Sequence, residues 1–375
     1  MKFAIITHAI HKARNGNIFA YEPYVREMNV WSKYVDEFLI VAPVSSSEIT
    51  KIESDYTLKD IKLSPVSGFN IISFRNIVKT ILVTPSILIK IYQAYKKSDH
   101  LHIRCPGNMG LLGVIVQVFF PKKRKTIKYA GNWDPKSKQP RSYRIQKWII
   151  SNTFLTKNAK VLVYGEWENQ SKNIIPFFTA SYSKNEILPF QNKTLKSSQI
   201  KLLYVGTLAK GKQPILSVKV ANELIRKGYD IQLNVYGDGD EMEALRNYIE
   251  KNNLHSSIHL HGNQSKEVIK KAYAESHFLI FISKSEGWPK VVAESMFFSC
   301  LPISSSVSCI PFMLGDGERG SLISCMKTEI IANEIIHYIK TPDLYIEKLK
   351  KASEWSQNYT LEYFEEEIKK LLVHG

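Results

Sequence analysis

The sequence predicts an α/β protein built from two doubly wound domains. Three observations carry this reading. The 375 residues exceed one domain of ordinary size. Short β-rich runs alternate with longer amphipathic stretches in both halves of the chain. A polar segment, LPFQNKTLKSSQ at 188–199, separates the two series and reads as the linker.

The elements follow in order. KFAIITH (2–8) is apolar but carries no small-residue cleavage site, so it reads as a first strand rather than a signal peptide. EFLIVAP (37–43), HLHIRC (100–105), KTIKYAG (125–131) and KVLVYG (160–165) are the further strands of the first half, with helical patterns at 74–97 and 140–154. In the second half IKLLYVG (200–206), IQLNVYG (231–237), SIHLHG (257–262), FLIFIS (278–283) and LPISS (301–305) alternate with helices near 213–227, 240–252, 265–275 and 289–299. A last helix opens at Thr360 as N-cap and places Tyr363, Ile368, Leu371 and Leu372 at apolar positions. The expected domains are 1–189 and 190–357.

Charge is uneven. Residues 1–190 hold 28 Lys and Arg against 13 Asp and Glu, and the remainder holds 23 against 22. The first half is therefore expected to face something anionic. The four cysteines (Cys105, Cys300, Cys309, Cys325) show neither a CxxC pair nor metal-ligand spacing, which fits free buried thiols in a reducing compartment. The longest apolar run, MGLLGVIVQVFF (109–120), is too short to span a bilayer. A cytoplasmic protein is expected, peripheral on the inner face of the plasma membrane.

Ligands of doubly wound sheets sit beyond the carboxyl ends of the strands, so the loops there carry the chemistry. Gly16 precedes a helical pattern and would let backbone amides approach a phosphate. Lys210 and Lys212, in YVGTLAKGKQP, stand before a helix start and suit a diphosphate. Gly237 follows another strand in VYGDGDEMEAL, where a turn alone would explain it.

The segment SKSEGWPKVVAES (283–295) is more informative. Pro289 suits the first helical turn, which places the amides of Gly287, Trp288 and Lys290 at a positively biased helix end. Glu286 beside an anion site is then expected to bind hydroxyl groups. Glu294, about 1.5 turns into the helix, would accept from a second hydroxyl pair. Positive charge for phosphates and carboxylates for hydroxyls together suit a nucleotide sugar.

These stretches, with IHLHG, the segment 272–303 and GERGSLI, resemble in order and spacing a retaining glycosyltransferase of the GT4 family. RCPGNMGLLG and KYAGNWDPKSKQP are similar to a subgroup acting on bacterial surface polysaccharide, including lipopolysaccharide. The resemblance implies the GT-B fold: two Rossmann-like domains facing across a cleft, with 358–375 crossing back to the first. It implies that Glu286 is catalytic and contacts the donor sugar, with Gly287, Trp288 and Pro289 holding phosphate or sugar. Glu294 would bind the ribose, Lys212 the pyrophosphate, and Gly16 and Gly237 would line the donor site. Thr207 stands where the family usually has an arginine, and Lys210 is the candidate substitute. The usual first-domain histidine is missing, leaving Asn132 and Asp134 as acceptor-side candidates. His8 and His11 are expected to be structural or solvated.

The implied reaction moves a sugar from a nucleotide-diphosphate sugar to a glycan or lipid-linked acceptor with retention. It needs no cofactor and no metal, because Lys212 and the helix end would stabilise the leaving diphosphate. Lys122, Lys123, Arg124 and Lys125 beside the apolar run suit an anionic inner membrane surface. A nucleotide-sugar epimerase of the same architecture is the alternative. A basic nucleic-acid-binding protein is the other, although no nucleic-acid-binding motif appears.

Overall fold

The structure is a computed structural model that describes residues 1–50, 52–68, 74–190, 192–195 and 199–373. The chain divides into two compact units, Met1–Phe178 with Phe364–Gly375, and Thr179–Tyr363. The division lies ahead of the expected linker because Tyr182 belongs to the second unit. Its ring stacks on Phe297 at 5.6 Å and meets Phe298 edge-on at 4.6 Å. The linker is itself partly built in. Lys193 Nζ donates to the carbonyls of Tyr273, Ser276 and Phe298 at 3.0, 2.8 and 3.1 Å, and burial lowers its pKa to about 8.

The first unit contains β1 (Lys2–Ile6), β2 (Lys12–Arg14), β3 (Asn17–Tyr21), α1 (Glu22–Ser32), β4 (Glu37–Pro43), β5 (Glu53–Asp55) and β6 (Ile61–Val66). It continues with α2 (Phe74–Lys97), β7 (His100–Cys105), α3 (Asn108–Val116), β8 (Arg124–Tyr129), α4 (Arg141–Ser151), β9 (Ala159–Tyr164) and β10 (Ile174–Phe177). Seven strands form a parallel sheet in the order β10-β9-β8-β7-β1-β4-β6. Ile6, Val41, Ile103, Ile127 and Val161 are buried from the sheet against Ile91 and Tyr95 of α2, Val114 of α3 and Ile150 of α4. Such double-sided burial explains why these strands read as near-continuous apolar runs.

Gly16 is a correction. It does not precede a helix but closes the β2–β3 hairpin, where Asn15 (φ 48°) and Gly16 (φ 78°) form a two-residue loop between paired Arg14 and Asn17. Positive φ at both positions is what such a turn demands, and Asn-Gly supplies it. A Cβ on Gly16 would meet nothing within 4 Å.

The basic cluster is a second correction. Lys123 Nζ donates to the carbonyls of Lys96 and Ser98 at the end of α2. Arg124 Nη2 donates to the carbonyls of Leu371 and Leu372 at 3.5 and 2.7 Å, at the end of the last helix. Lys125 Nζ is bound by the carbonyls of Lys123 and Lys157, at 3.2 and 2.6 Å. Lys123 and Arg124 thus cap helix ends, while Lys125 ties the turn after α4 to the start of β8. Lys122 is exposed.

The second unit contains β11 (Ile200–Val205), α5 (Pro214–Arg226), β12 (Ile231–Tyr236), α6 (Met242–Lys251), β13 (Ile258–Gly262), α7 (Lys266–Glu275) and β14 (Phe278–Phe281). There follow α8 (Lys290–Phe297), β15 (Leu301–Ser305), α9 (Ile310–Leu314), β16 (Ser321–Ile323), α10 (Thr328–Lys340) and α11 (Pro342–Ser356). The closing α12 (Leu361–Val373) lies mostly in the first unit. The second sheet is parallel, in the order β13-β12-β11-β14-β15-β16.

Buried histidines stiffen the first unit. Thr126 Oγ1 lies 3.0 Å from His100 Nε2 and 2.9 Å from His102 Nδ1, bridging the two rings. Burial lowers both pKa values to about 3, and that of His11 to about 4. All three stay neutral when folded and take up protons on unfolding below about pH 6.5. Stability is undiminished above that value and is lost as the pH falls toward the folded values. We expect the urea midpoint to drop between pH 7 and pH 5, with uptake of at least about four protons at pH 5, because His277 of the second unit, lowered by burial to about 4, joins these three. An unchanged midpoint would contradict this.

Candidate functional site

The site is built where the strand order of the second sheet reverses. β11 has β12 on one side and β14 on the other, and the chain moves outward from it both ways. Loops leaving such a pair diverge and open a crevice at the carboxyl ends.

The loops are fixed by main chain. Leu208 N–H donates to the Asp238 carbonyl at 3.0 Å, and Glu241 N–H to the Leu208 carbonyl at 2.9 Å. Lys284 N–H reaches the Gly211 carbonyl at 3.0 Å, joining the loops after β14 and β11. Ser305 Oγ accepts from Ser283 N–H at 3.0 Å and donates to the Ser283 carbonyl at 2.7 Å.

Lys212 and Glu286 meet across this arrangement. Lys212 Nζ donates to both carboxylate oxygens of Glu286, at 2.5 and 2.6 Å. The Glu286 side chain is 7% exposed and that of Lys212 is 32% exposed. The ammonium also lies 5.5 Å from the centroid of the Phe281 ring. One end of the pair is thus desolvated while the other remains open to an incoming anion. Lys210 stands exposed on the same short turn, Lys210–Lys212.

The rest of the glutamate segment divides its work. Pro289 is the N-cap of α8, with ψ 92°, so the helix opens at Lys290 rather than at Pro289. Trp288 turns inward, its ring 6.4 Å from Trp355 and 5.7 Å from Tyr359. It anchors the loop by packing rather than presenting its ring to a ligand. Glu294 accepts from the buried Tyr273 hydroxyl at 3.1 Å, which fixes one of its oxygens.

Gly237 serves the backbone. It lies at φ 132°, and a Cβ there would stand 1.9 Å from the Gly206 carbonyl oxygen. Its N–H donates to the Gly262 carbonyl at 2.9 Å. Close approach of strand ends accounts for this glycine without a ligand.

Sequence reasoning missed two contributors. Cys309 Sγ donates to the Gly287 carbonyl at 2.9 Å and Ser308 Oγ to the same oxygen at 3.4 Å. Burial pushes the Cys309 thiol up, keeping its proton for this bond. Only the three-dimensional approach of the β15–α9 loop reveals this role. Cys325, expected buried, is exposed.

In the first unit Asn132 and Asp134 shape their own loop. Asn132 Oδ1 accepts from Asp134 N–H at 2.9 Å, and Asp134 Oδ1 from Lys136 N–H at 2.8 Å. His11 is structural, as expected: its ring bonds the Tyr56 hydroxyl at 2.7 Å. His8 is exposed, beside the β7–α3 loop, where a Cβ on Gly107 would lie 3.4 Å from its Nδ1. Desolvation, and then the Arg104 charge, lower its pKa. Arg104, unnoticed in the sequence, covers the Tyr24 ring at 5.1 Å and lies 3.8 Å from Glu27, which Lys128 holds at 2.7 Å.

We expect Gly237→Ala to destabilise the protein by about 3 kcal/mol or more, because strand ends must separate to admit the methyl group. A melting temperature equal to that of the wild type would show that the strand ends give way freely.

Comparison with known proteins adds independent findings. Residues 187–359 match the family described as Glycosyl transferases group 1. An uncharacterized glycosyltransferase of Haemophilus influenzae is 29% identical over 223 residues, covering 58% of this chain and 60% of that protein. An alpha-D-kanosaminyltransferase of Streptomyces kanamyceticus is 25% identical over 143 residues, covering 38% and 37%. The chain thus spans 60% or less of these curated relatives. Among solved structures, Anabaena HepE in complex with UDP-glucose superposes with TM-score 0.70 at 11% identity, each chain covered at 100%. Sucrose-phosphate synthase from Thermosynechococcus elongatus gives 0.67 at 14% identity, covering 99% of this chain and 98% of its own. The architecture is that of the GT-B glycosyltransferases, with two Rossmann-like units, and the group 1 match falls on the unit that carries Lys212 and Glu286.

Proposed function

We propose that the protein transfers a sugar from a nucleoside-diphosphate sugar to a glycan or lipid-linked acceptor, as a GT4-type enzyme with retention of anomeric configuration. The observation that carries this is the Lys212–Glu286 pair at the β11–β14 reversal. A diphosphate would compete with Glu286 for the Lys212 ammonium, and the released carboxylate would turn to the donor's hydroxyl groups. Glu294, held by Tyr273, would take the ribose. Lys212 and the amino end of α8 would stabilise the charge that grows on the leaving diphosphate, as fixed dipoles and charges do. Lys210 would add a second cation.

UDP is the first nucleotide to test, since Anabaena HepE and a pneumococcal O-GlcNAc transferase were both solved with it. The acceptor belongs, in this proposal, to surface-polysaccharide synthesis at the inner face of the membrane, and turnover needs no metal. Asn132 and Asp134 would face the acceptor.

We expect UDP or another nucleoside diphosphate to raise the melting temperature, and Lys212→Ala to abolish that rise. Lys212→Ala should also lower kcat/KM by about 100-fold or more, and Glu286→Gln should lower kcat with a smaller change in KM. Activity should survive EDTA. No stabilisation by any of UDP, GDP or ADP would count against the proposal, and turnover of the donor to an epimer without acceptor would replace it.

A further inference from the structure

One corner of the first unit has an unusual surface. The carboxyl ends of α2, of α3 with the turn after it, and of α4 meet there. Gln117 Nε2 donates to the Leu155 carbonyl at 3.3 Å and to Thr156 Oγ1 at 3.1 Å. Asn158 Nδ2 reaches the Pro121 carbonyl at 3.0 Å, so the turns 117–121 and 154–158 lie side by side. From α2, Tyr92 packs on Phe120 at 5.1 Å.

Three large rings stand out of this corner: Phe119 is 72% exposed, Trp148 62% and Phe154 75%. Four exposed lysines surround them: Lys96 and Lys97 ending α2, Lys122 in the turn after α3, and Lys157 after α4. Lys157 Nζ lies 4.9 Å from the Phe154 ring centroid. Residues 61–165 carry 19 Lys and Arg against two acids, Asp99 and Asp134. Asp99, just after α2, is engaged by the Lys2 N–H at 2.7 Å, on the β1 side of β7.

We propose that this corner docks on an anionic lipid bilayer. Rings at 60–75% exposure gain nothing from water, and clustered apolar surface of this kind marks an interaction site. Trp and Phe tips seat at the headgroup boundary while lysines pair with lipid phosphates just outside it. The rings protrude rather than line a groove, which suits a fluid interface better than a strand of nucleic acid. The lysines here are free of the structural duties of Lys123, Arg124 and Lys125, so the anionic contact shifts from 123–125 to this ring of residues. Among the described residues no helix is long and apolar enough to cross a membrane, and attachment by a surface patch needs none.

The test uses the full chain without donor, so its outcome is separate from the transferase proposal. Flotation with phosphatidylglycerol–phosphatidylcholine vesicles should carry the protein at low salt and release it at high salt, while pure phosphatidylcholine should carry little. The triple variant Phe119→Ser, Trp148→Ser, Phe154→Ser should lower partitioning on the order of tenfold or more. The quadruple variant with Lys96, Lys97, Lys122 and Lys157 each changed to Gln should lose the preference for anionic vesicles. Because all seven side chains are exposed, both variants should melt like the wild type; if the ring variant does not fold, the lysine variant decides. No vesicle binding by the wild type, or binding that neither variant alters, would overturn the proposal. So would self-association lost in the ring variant without vesicle binding, or DNA binding that persists at about 200 mM salt with no vesicle binding.

Discussion

The reversal of strand order at β11 is the constraint on which the rest of the site depends. A strand flanked by β12 and β14 sets the loop after β11 beside the loop after β14, and that adjacency lets a lysine from one meet a carboxylate from the other. Gly237 lets the end of β12 press against Gly206, and the Gly211 carbonyl draws in the loop after β14. With both loops held by main chain, only the two side chains remain to be ordered when the ion pair forms. Glu286, nearly buried, would be costly as a lone charge, and Lys212 offsets that cost. Loss of either partner therefore has a structural consequence as well as a chemical one.

Much of this was legible in the sequence because parallel strands buried on both faces announce themselves. All ten expected strands exist, most within two residues at each end, and the helix expected at 74–97 is α2. The strands that escaped are short or polar: β2, β3, β5, β10 and β16 have only three to five residues, and β6 reads IKLSPV, with Ser and Pro breaking its apolar run; the helices α10 and α11, of 13 and 15 residues, also escaped. Gly16 was misplaced for the same reason, since a hairpin with no apolar alternation looks like a loop before a helix. Lys212 and Glu286 could be named from the sequence because each sits next to a helix start; their direct contact could not, because it depends on which strands are neighbours.

Charge shows the opposite limit. A run such as KKRK is visible in any sequence, yet the destination of each side chain is set by which chain ends lie beside it. Lys123 and Arg124 reach helix-terminal carbonyls, and Lys125 is almost wholly buried with the Lys157 carbonyl. Lys128, buried against Glu27, is likewise spent on the fold. A net charge therefore overstates the surface available to a partner, and exposed lysines beside exposed rings are the better guide. The same distinction separates Trp288, buried by Trp355 and Tyr359, from Trp148, which nothing covers to that degree.

The most direct measurement of the central claim is calorimetric titration of UDP and UMP into the wild type, Lys212→Met and Glu286→Gln. If Lys212 is the diphosphate's cation, Lys212→Met weakens UDP by about 10-fold to 100-fold, the worth of a charge-assisted hydrogen bond, and leaves UMP nearly unchanged. Glu286→Gln, which removes the competitor for that ammonium, holds UDP at least as tightly as the wild type. Equal UDP affinity in the wild type and Lys212→Met would contradict the assignment and leave the Lys212–Glu286 pair a structural ion pair alone.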